Sequence, residues 1–122
     1  MDSDDPLVIV YGISNCDSVK KAQAWLNRQG ISFEFRDFKK WPPALNQVSR
    51  WWDVTEGTGL VNRKSTTWKS LSVDEQAATH LPEKAKMLLV KYPALIKRPV
   101  VEYSGKVVVG FDEEKYAAVF ES

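Results

Sequence analysis

One stretch limits the folds open to this chain more than any other. Leu7-Val8-Ile9-Val10-Tyr11 is continuously apolar and rich in β-branched residues, the pattern of a strand buried on both faces. Gly12 punctuates its end. From Asp17 to Gln29, Val19, Ala22, Trp25 and Leu26 recur at helical spacing, and Gly30 supplies the stop. Ile31-Ser32-Phe33-Glu34-Phe35-Arg36 then alternates apolar and polar residues, as a strand with one face on a core does. Strand, helix and strand so closely spaced predict a βαβ unit, right-handed and with parallel strands. The N-terminus of its helix faces the carboxyl ends of the strands, the edge where ligands bind in open α/β sheets.

Cys16, the only cysteine, stands at that edge. A sulfur at a helix start meets outward-pointing N–H groups and the positive end of the helix dipole, which favour the thiolate, the nucleophilic form. Lys20 and Lys21 would add positive charge nearby. Asn15 and Ser18 flank the thiol and either donate hydrogen bonds to it or cap the helix. The bland alternative for a lone cysteine is a small buried hydrophobe. His80, the only histidine, has no companion acid or thiol at an informative spacing, so it reads as a surface residue, and no zinc site can be assembled.

The remaining chain extends the same fold. Residues 1–6 are polar and charged and read as a disordered lead-in. After Lys39-Lys40-Trp41-Pro42-Pro43, the residues Leu45, Val48 and Trp52 predict a short amphipathic helix that ends in Gly57-Thr58-Gly59. Residues 60–68 read as irregular. Ser72 and Glu75 have the spacing of a capping box, and Pro82 opens a helix with Ala85, Leu88, Leu89 and Tyr92 on one face until Pro93 forbids continuation. Residues from about 42 to 92 are thus a helical insertion. Arg98 to Tyr103 and Lys106 to Val109, joined by Ser104-Gly105, predict a hairpin, and Asp112 can cap a last helix that buries Tyr116, Val119 and Phe120. Trp25, Trp51, Trp52 and Trp68 read as core. Trp41, beside two lysines, is the candidate for an exposed docking patch.

Composition narrows the partners. The 122 residues suit one domain, spanning 7–122. Seventeen basic against sixteen acidic side chains leave a net charge of +1, which gives no overall reason to expect nucleic acid or an anionic membrane as partner. No apolar run approaches the roughly 20 residues a membrane helix needs. A lone cysteine and an acidic N-terminus without an apolar run point to a reducing cytoplasm.

The order βαβ, helices, ββα, with a cysteine at the first helix and a proline opening the third strand, resembles the thioredoxin fold: a four-stranded mixed sheet with a helical insertion. Tyr11-Gly12-Ile13-x-x-Cys16-Asp17-x-x-Lys20-Lys21-Ala22, Asn62-x-x-x-Thr66-Thr67-Trp68, Pro93-x-Leu95-Ile96-Lys97-Arg98-Pro99-Val100 and Val109-Gly110-Phe111 resemble the ArsC/Spx family, and within it the small YffB-type branch. The resemblance implies a cysteine nucleophile at Cys16, an active-site loop including Gly12, Ile13 and a cis Pro99, and arginines that bind an oxyanion. Arg98 matches one of these; another falls at Arg63 or, in a different register, at Lys64. The third arginine of arsenate reductases has no counterpart in Val107-Val108-Val109-Gly110-Phe111. The regulatory branch of the family has a Cys-x-x-Cys switch and binds RNA polymerase, but here the second position is Val19, so a resolving thiol must come from another molecule.

Together these readings predict a monothiol oxidoreductase. The Cys16 thiolate attacks a small oxidised thiol or an oxyanion, and glutathione, as co-substrate rather than bound cofactor, releases the adduct alone or through glutaredoxin. The alternatives are a non-catalytic regulatory module that docks on a protein such as RNA polymerase and, more narrowly, an arsenate reductase.

Overall fold

The computed structural model describes residues 7–57 and 59–121, so the lead-in expected over 1–6 and the loop residue Thr58 lie outside the described residues. The chain divides into two compact units, Met1–Lys40 with Arg98–Ser122, and Trp41–Lys97. The expected insertion lies within the second.

In the first unit, strand β1 (Val8–Gly12) leads to helix α1 (Asp17–Arg28) and strand β2 (Glu34–Asp37). The chain re-enters this unit at strands β3 (Val100–Tyr103) and β4 (Lys106–Val109) and ends in helix α6 (Glu113–Phe120). The sheet order is β2-β1-β3-β4. β1 runs parallel to β2 and antiparallel to β3, and β3 and β4 form the hairpin. This mixed four-stranded α/β arrangement is the thioredoxin-like fold expected.

Strand alternation assigns the faces. Val8, Val10, Val101 and Val108 project to one side, where they meet Ala22, Trp25 and Leu26 of α1 and Tyr116 of α6. Trp25 and Tyr116 meet edge to face, with ring centroids 5.6 Å apart, an arrangement favoured by the ring quadrupoles. The Tyr116 hydroxyl donates to the Gly110 carbonyl at 2.7 Å, tying α6 to the turn after β4. The hairpin turn takes positive φ at both Ser104 and Gly105, which matches the right-handed twist of the strands it joins.

β2 starts later than the alternating sequence suggests. The Gly30 and Ile31 N–H groups donate back to Asn27 and Leu26, closing α1 in a Schellman motif with Gly30 at φ +70°. Residue 31 therefore finishes the helix, and strand pairing begins only at Ile9 with Glu34. Phe33 still packs on the core.

The second unit contains α2 (Leu45–Thr55), α3 (Thr66–Ser70), α4 (Val73–Ala78), α5 (Pro82–Lys91) and a 3-10 turn (Pro93–Leu95). α2 packs on α5. It buries Val48 and Trp51, whereas the expected Leu45 is exposed and Trp52 only partly covered. The left-handed turn at Glu56 and Gly57 folds back over Trp52: a Cβ on Gly57 would lie 2.6 Å from that ring. The segment read as irregular is in fact organised. Val61 bridges Ile96, with backbone bonds from Asn62 N–H to Leu95 and from Lys97 N–H to Leu60, both 2.8 Å, and Ser65 caps α3. The Ser72 and Glu75 capping box at α4 forms as the spacing predicts.

α5 buries Ala85 and Leu89 but also Lys86, while Leu88 and Tyr92 are only partly covered. The Lys86 ammonium donates to Asp53 of α2 at 3.3 Å and to Glu83 at 3.2 Å. These bonds offset the cost of removing its charge from water. Among the described residues no helix is long and apolar enough to cross a membrane.

Candidate active site

Gly12 ends β1, and its carbonyl accepts from the Phe38 N–H at 2.8 Å, which ties the strand end to the chain leaving β2. A tight turn follows, in which the Cys16 N–H donates to the Ile13 carbonyl at 3.2 Å while Ser14 and Asn15 are exposed at its tip. Cys16 is the N-cap of α1: its backbone is extended, and its carbonyl accepts the first helical bond from the Lys20 N–H at 3.0 Å. No side chain completes a cap bond to the first turn. The Ser18 and Val19 N–H groups of that turn act instead on the half-buried sulfur without closing a full cap bond.

Two opposed effects act on the thiol. Burial pushes its pKa up, because a thiolate is costly away from water. The backbone N–H of Val19, a hydrogen bond from the Arg98 side chain, the backbone N–H of Ser18 and the Arg98 charge act the other way, and together they hold the thiol below its ordinary range. Arg98 comes from the other end of the first unit. It precedes β3, whose Val100 pairs with Tyr11 at the end of β1, so strand register alone carries it to the edge where α1 begins. The Arg98–Pro99 peptide is cis, as the resemblance implies, and the buried Pro99 accepts at its carbonyl from the Gly110 N–H at 2.8 Å.

The other candidates have these places. Neither Asn15 nor Ser18 caps α1, since the cap position belongs to Cys16 itself. Ser18 acts on the sulfur through its backbone N–H, which most residues could supply, and Asn15 is exposed at the tip of the turn. Lys20 is exposed on α1. Arg63 and Lys64 belong to the second unit. The Arg63 guanidinium donates to the Thr79 hydroxyl at 3.4 Å and lies over the Trp68 ring, 5.2 Å from its centroid. Lys64 is exposed, with its backbone N–H on the Asn62 side chain. The first unit thus brings together Cys16, Gly12, Ile13, Arg98 and Pro99.

Val19 is the participant missed by sequence reasoning, which placed it only in the core. Its position, third in the helix after the N-cap, is the available signal, because a cap side chain accepts from the second or third N–H. Val19 is fully buried, and a Cβ built on Gly12 would lie 2.7 Å from its Cγ2. Gly12 is therefore glycine for want of space. Among the described residues no group of three or more His, Cys, Asp or Glu is arranged to hold a metal ion.

Residues 11–119 match the ArsC family. The chain is 39% identical to an uncharacterized protein of Haemophilus influenzae, over 93% of this chain and 99% of that one. It is 30% identical to the global transcriptional regulator Spx of Listeria innocua, over 89% of this chain and 83% of the regulator. Two solved structures share its architecture. A YffB protein, 35% identical, superposes with a TM-score of 0.85 over 91% of this chain and 96% of its own. An arsenate reductase (ArsC) related protein from Brucella melitensis, 34% identical, superposes with a TM-score of 0.73 over 100% and 99%. With the sheet order, the lone thiol at the start of α1 and these matches in hand, the chain belongs to the ArsC family.

Proposed function

We propose that this protein is a monothiol oxidoreductase that works through Cys16. The observation that carries the reading is the sulfur at the N-cap of α1, with Arg98 beside it and its pKa held below the ordinary thiol range. In the first step the Cys16 thiolate attacks one sulfur of a small glutathione mixed disulfide. A Cys16–glutathione disulfide forms, and the substrate leaves as a thiolate. In the second, the thiolate of a free glutathione attacks the glutathione sulfur of that adduct, releasing oxidised glutathione and restoring the Cys16 thiolate. The substrate leaves as its free thiol, and its glutathionyl group ends joined to one free glutathione as oxidised glutathione, so one disulfide is exchanged for another. Val19 stands where a resolving cysteine would be needed, so the second thiol comes from outside. Glutaredoxin can act in place of the second glutathione.

Turnover of a small glutathione mixed disulfide, followed by oxidised glutathione formed, tests the proposal. The native protein should turn over, and Cys16→Ser should fall to the uncatalysed rate. Equal rates in the two would refute the enzymatic reading.

A second reading is favoured by the similarity to Spx, whose name marks a transcriptional regulator. Here the chain would be a non-catalytic module that docks on a protein such as RNA polymerase. Polymerase binding retained in Cys16→Ser, with no thiol reactivity in the native protein, would favour it. Arsenate reduction ranks third, because valines, Gly110 and Phe111 occupy the stretch after the hairpin where a third arginine is expected.

A further inference from the structure

We infer that Val19 is a positioning residue for the thiol: its side chain fills the space above the Gly12 Cα, and this interlock holds the first turn of α1 in register with the Cys16 loop. The inference rests on Cys16 being the reacting group.

Three observations carry it. Gly12 lies in the strand, without the left-handed φ that would by itself call for glycine, yet a Cβ there would be 2.7 Å from Val19 Cγ2. That separation is inside van der Waals contact, so the valine methyl stands where a side chain of residue 12 would be. Val19 is also fully buried, so it has nowhere to retreat. Finally, Gly12 is fixed from its other side by the Phe38 N–H on its carbonyl, and the loop between the two residues is short and closed by the bond from Cys16 N–H to Ile13. The end of β1 is thus an anchor and Val19 a peg seated on it. The peg belongs to the residue whose N–H is the largest of the influences that favour the thiolate. A turn free to drift by a few tenths of an ångström would weaken hydrogen bonds to the sulfur, which depend steeply on angle. An apolar residue at this position therefore does more than leave out a second cysteine.

The test is the pH dependence of Cys16 alkylation by iodoacetamide in the native protein, Val19→Ala, Gly12→Ala and the double variant, with circular dichroism reporting folding. Val19→Ala removes the peg and Gly12→Ala drives it out, so each should raise the apparent thiol pKa by about one unit, a tenfold loss of thiolate below the pKa. The higher intrinsic nucleophilicity of a more basic thiol offsets part of this, leaving a rate near neutral pH lower by about threefold. In the double variant the new methyl on residue 12 lies 3.8 Å from the Cβ of residue 19, an ordinary contact. The interlock is remade with one methyl exchanged for another, and the profile should return towards that of the native protein.

A merely structural role would lower stability and leave the profile in place. If Gly12→Ala does not fold, Val19→Ala and the double variant still decide. A folded Val19→Ala with an unchanged profile would overturn the inference, as would a double variant no closer to the native profile than Val19→Ala. A native profile at the free-thiol value would overturn the thiolate reading of Cys16 and this inference together, whereas a low native pKa without turnover would sink only the enzymatic proposal.

Discussion

Cys16 owes its acidity to groups from two distant parts of the sequence, the first turn of its own helix and Arg98 before β3. The guanidinium contributes both a hydrogen bond and a charge, so Arg98→Gln should raise the apparent thiol pKa by about one unit, within the range seen for a lost opposite charge. Alkylation rate against pH measures it, and Arg98→Lys, which keeps the charge and loses the fork, should fall between. The same shift makes stability depend on pH. The folded thiol titrates below the unfolded one, so the unfolded chain binds more protons between the two values, and stability rises with pH through that window. The contribution of the thiolate is fully present above the unfolded value of about 8.5 and is lost as pH falls through the folded value. The unfolding free energy of the native protein minus that of Cys16→Ser, followed by denaturant titration from pH 5 to 9, should therefore climb and then level off. A flat difference would contradict it. At this scale the sequence points to Cys16 and Arg98, which the first unit brings together, and says less about their neighbours. Ser18 and Val19 act through backbone N–H groups, which a side-chain reading cannot weigh, and the Lys20 side chain is exposed while its own N–H bonds the Cys16 carbonyl.

Helix α6 depends on Asp112, whose carboxylate accepts from the Glu114 and Lys115 N–H groups at 2.9 and 3.3 Å. Asp112→Ala should cost about 1 kcal/mol in denaturant unfolding, the usual loss for such a cap. Between α2 and α5 the expectation runs the other way. Lys86 is only 8% exposed, but its carboxylate partners are 69% and 87% exposed and can return to water without it. Lys86→Met exchanges a buried ammonium for an apolar chain of similar length and leaves no charge stranded, so the melting temperature should stay level or rise. A fall of several degrees would show that the ion pairs do more than offset burial. The elements that were legible carried local signals: the Ser72 and Glu75 spacing, Pro82 at a helix start, and Ser104-Gly105 in the hairpin. Those misjudged depended on where the chain goes next. The Schellman closure that shortens β2, the Gly57 turn that covers Trp52, and the Val61 to Ile96 bridge all involve partners that periodicity does not reveal.

Cys16 and Arg98 both belong to the first unit, whose two segments are separated in sequence by Trp41–Lys97. This is why the site was readable and yet incomplete. The βαβ pattern and the lone cysteine announce where a ligand should sit, whereas the antiparallel pairing of β3 with β1 is what carries Arg98 there. Arg63 and Lys64 belong to the second unit, where Arg63 bonds Thr79 and lies over Trp68. A single thiol, with no other cysteine in the chain, leaves one simple signature. Intact-mass analysis after exposure to oxidised glutathione, with Cys16→Ser in parallel, reads it directly. Monothiol chemistry at Cys16 predicts one glutathione adduct per chain, removed by free glutathione or glutaredoxin and absent from the serine variant. A native protein that stays unmodified under these conditions would contradict it.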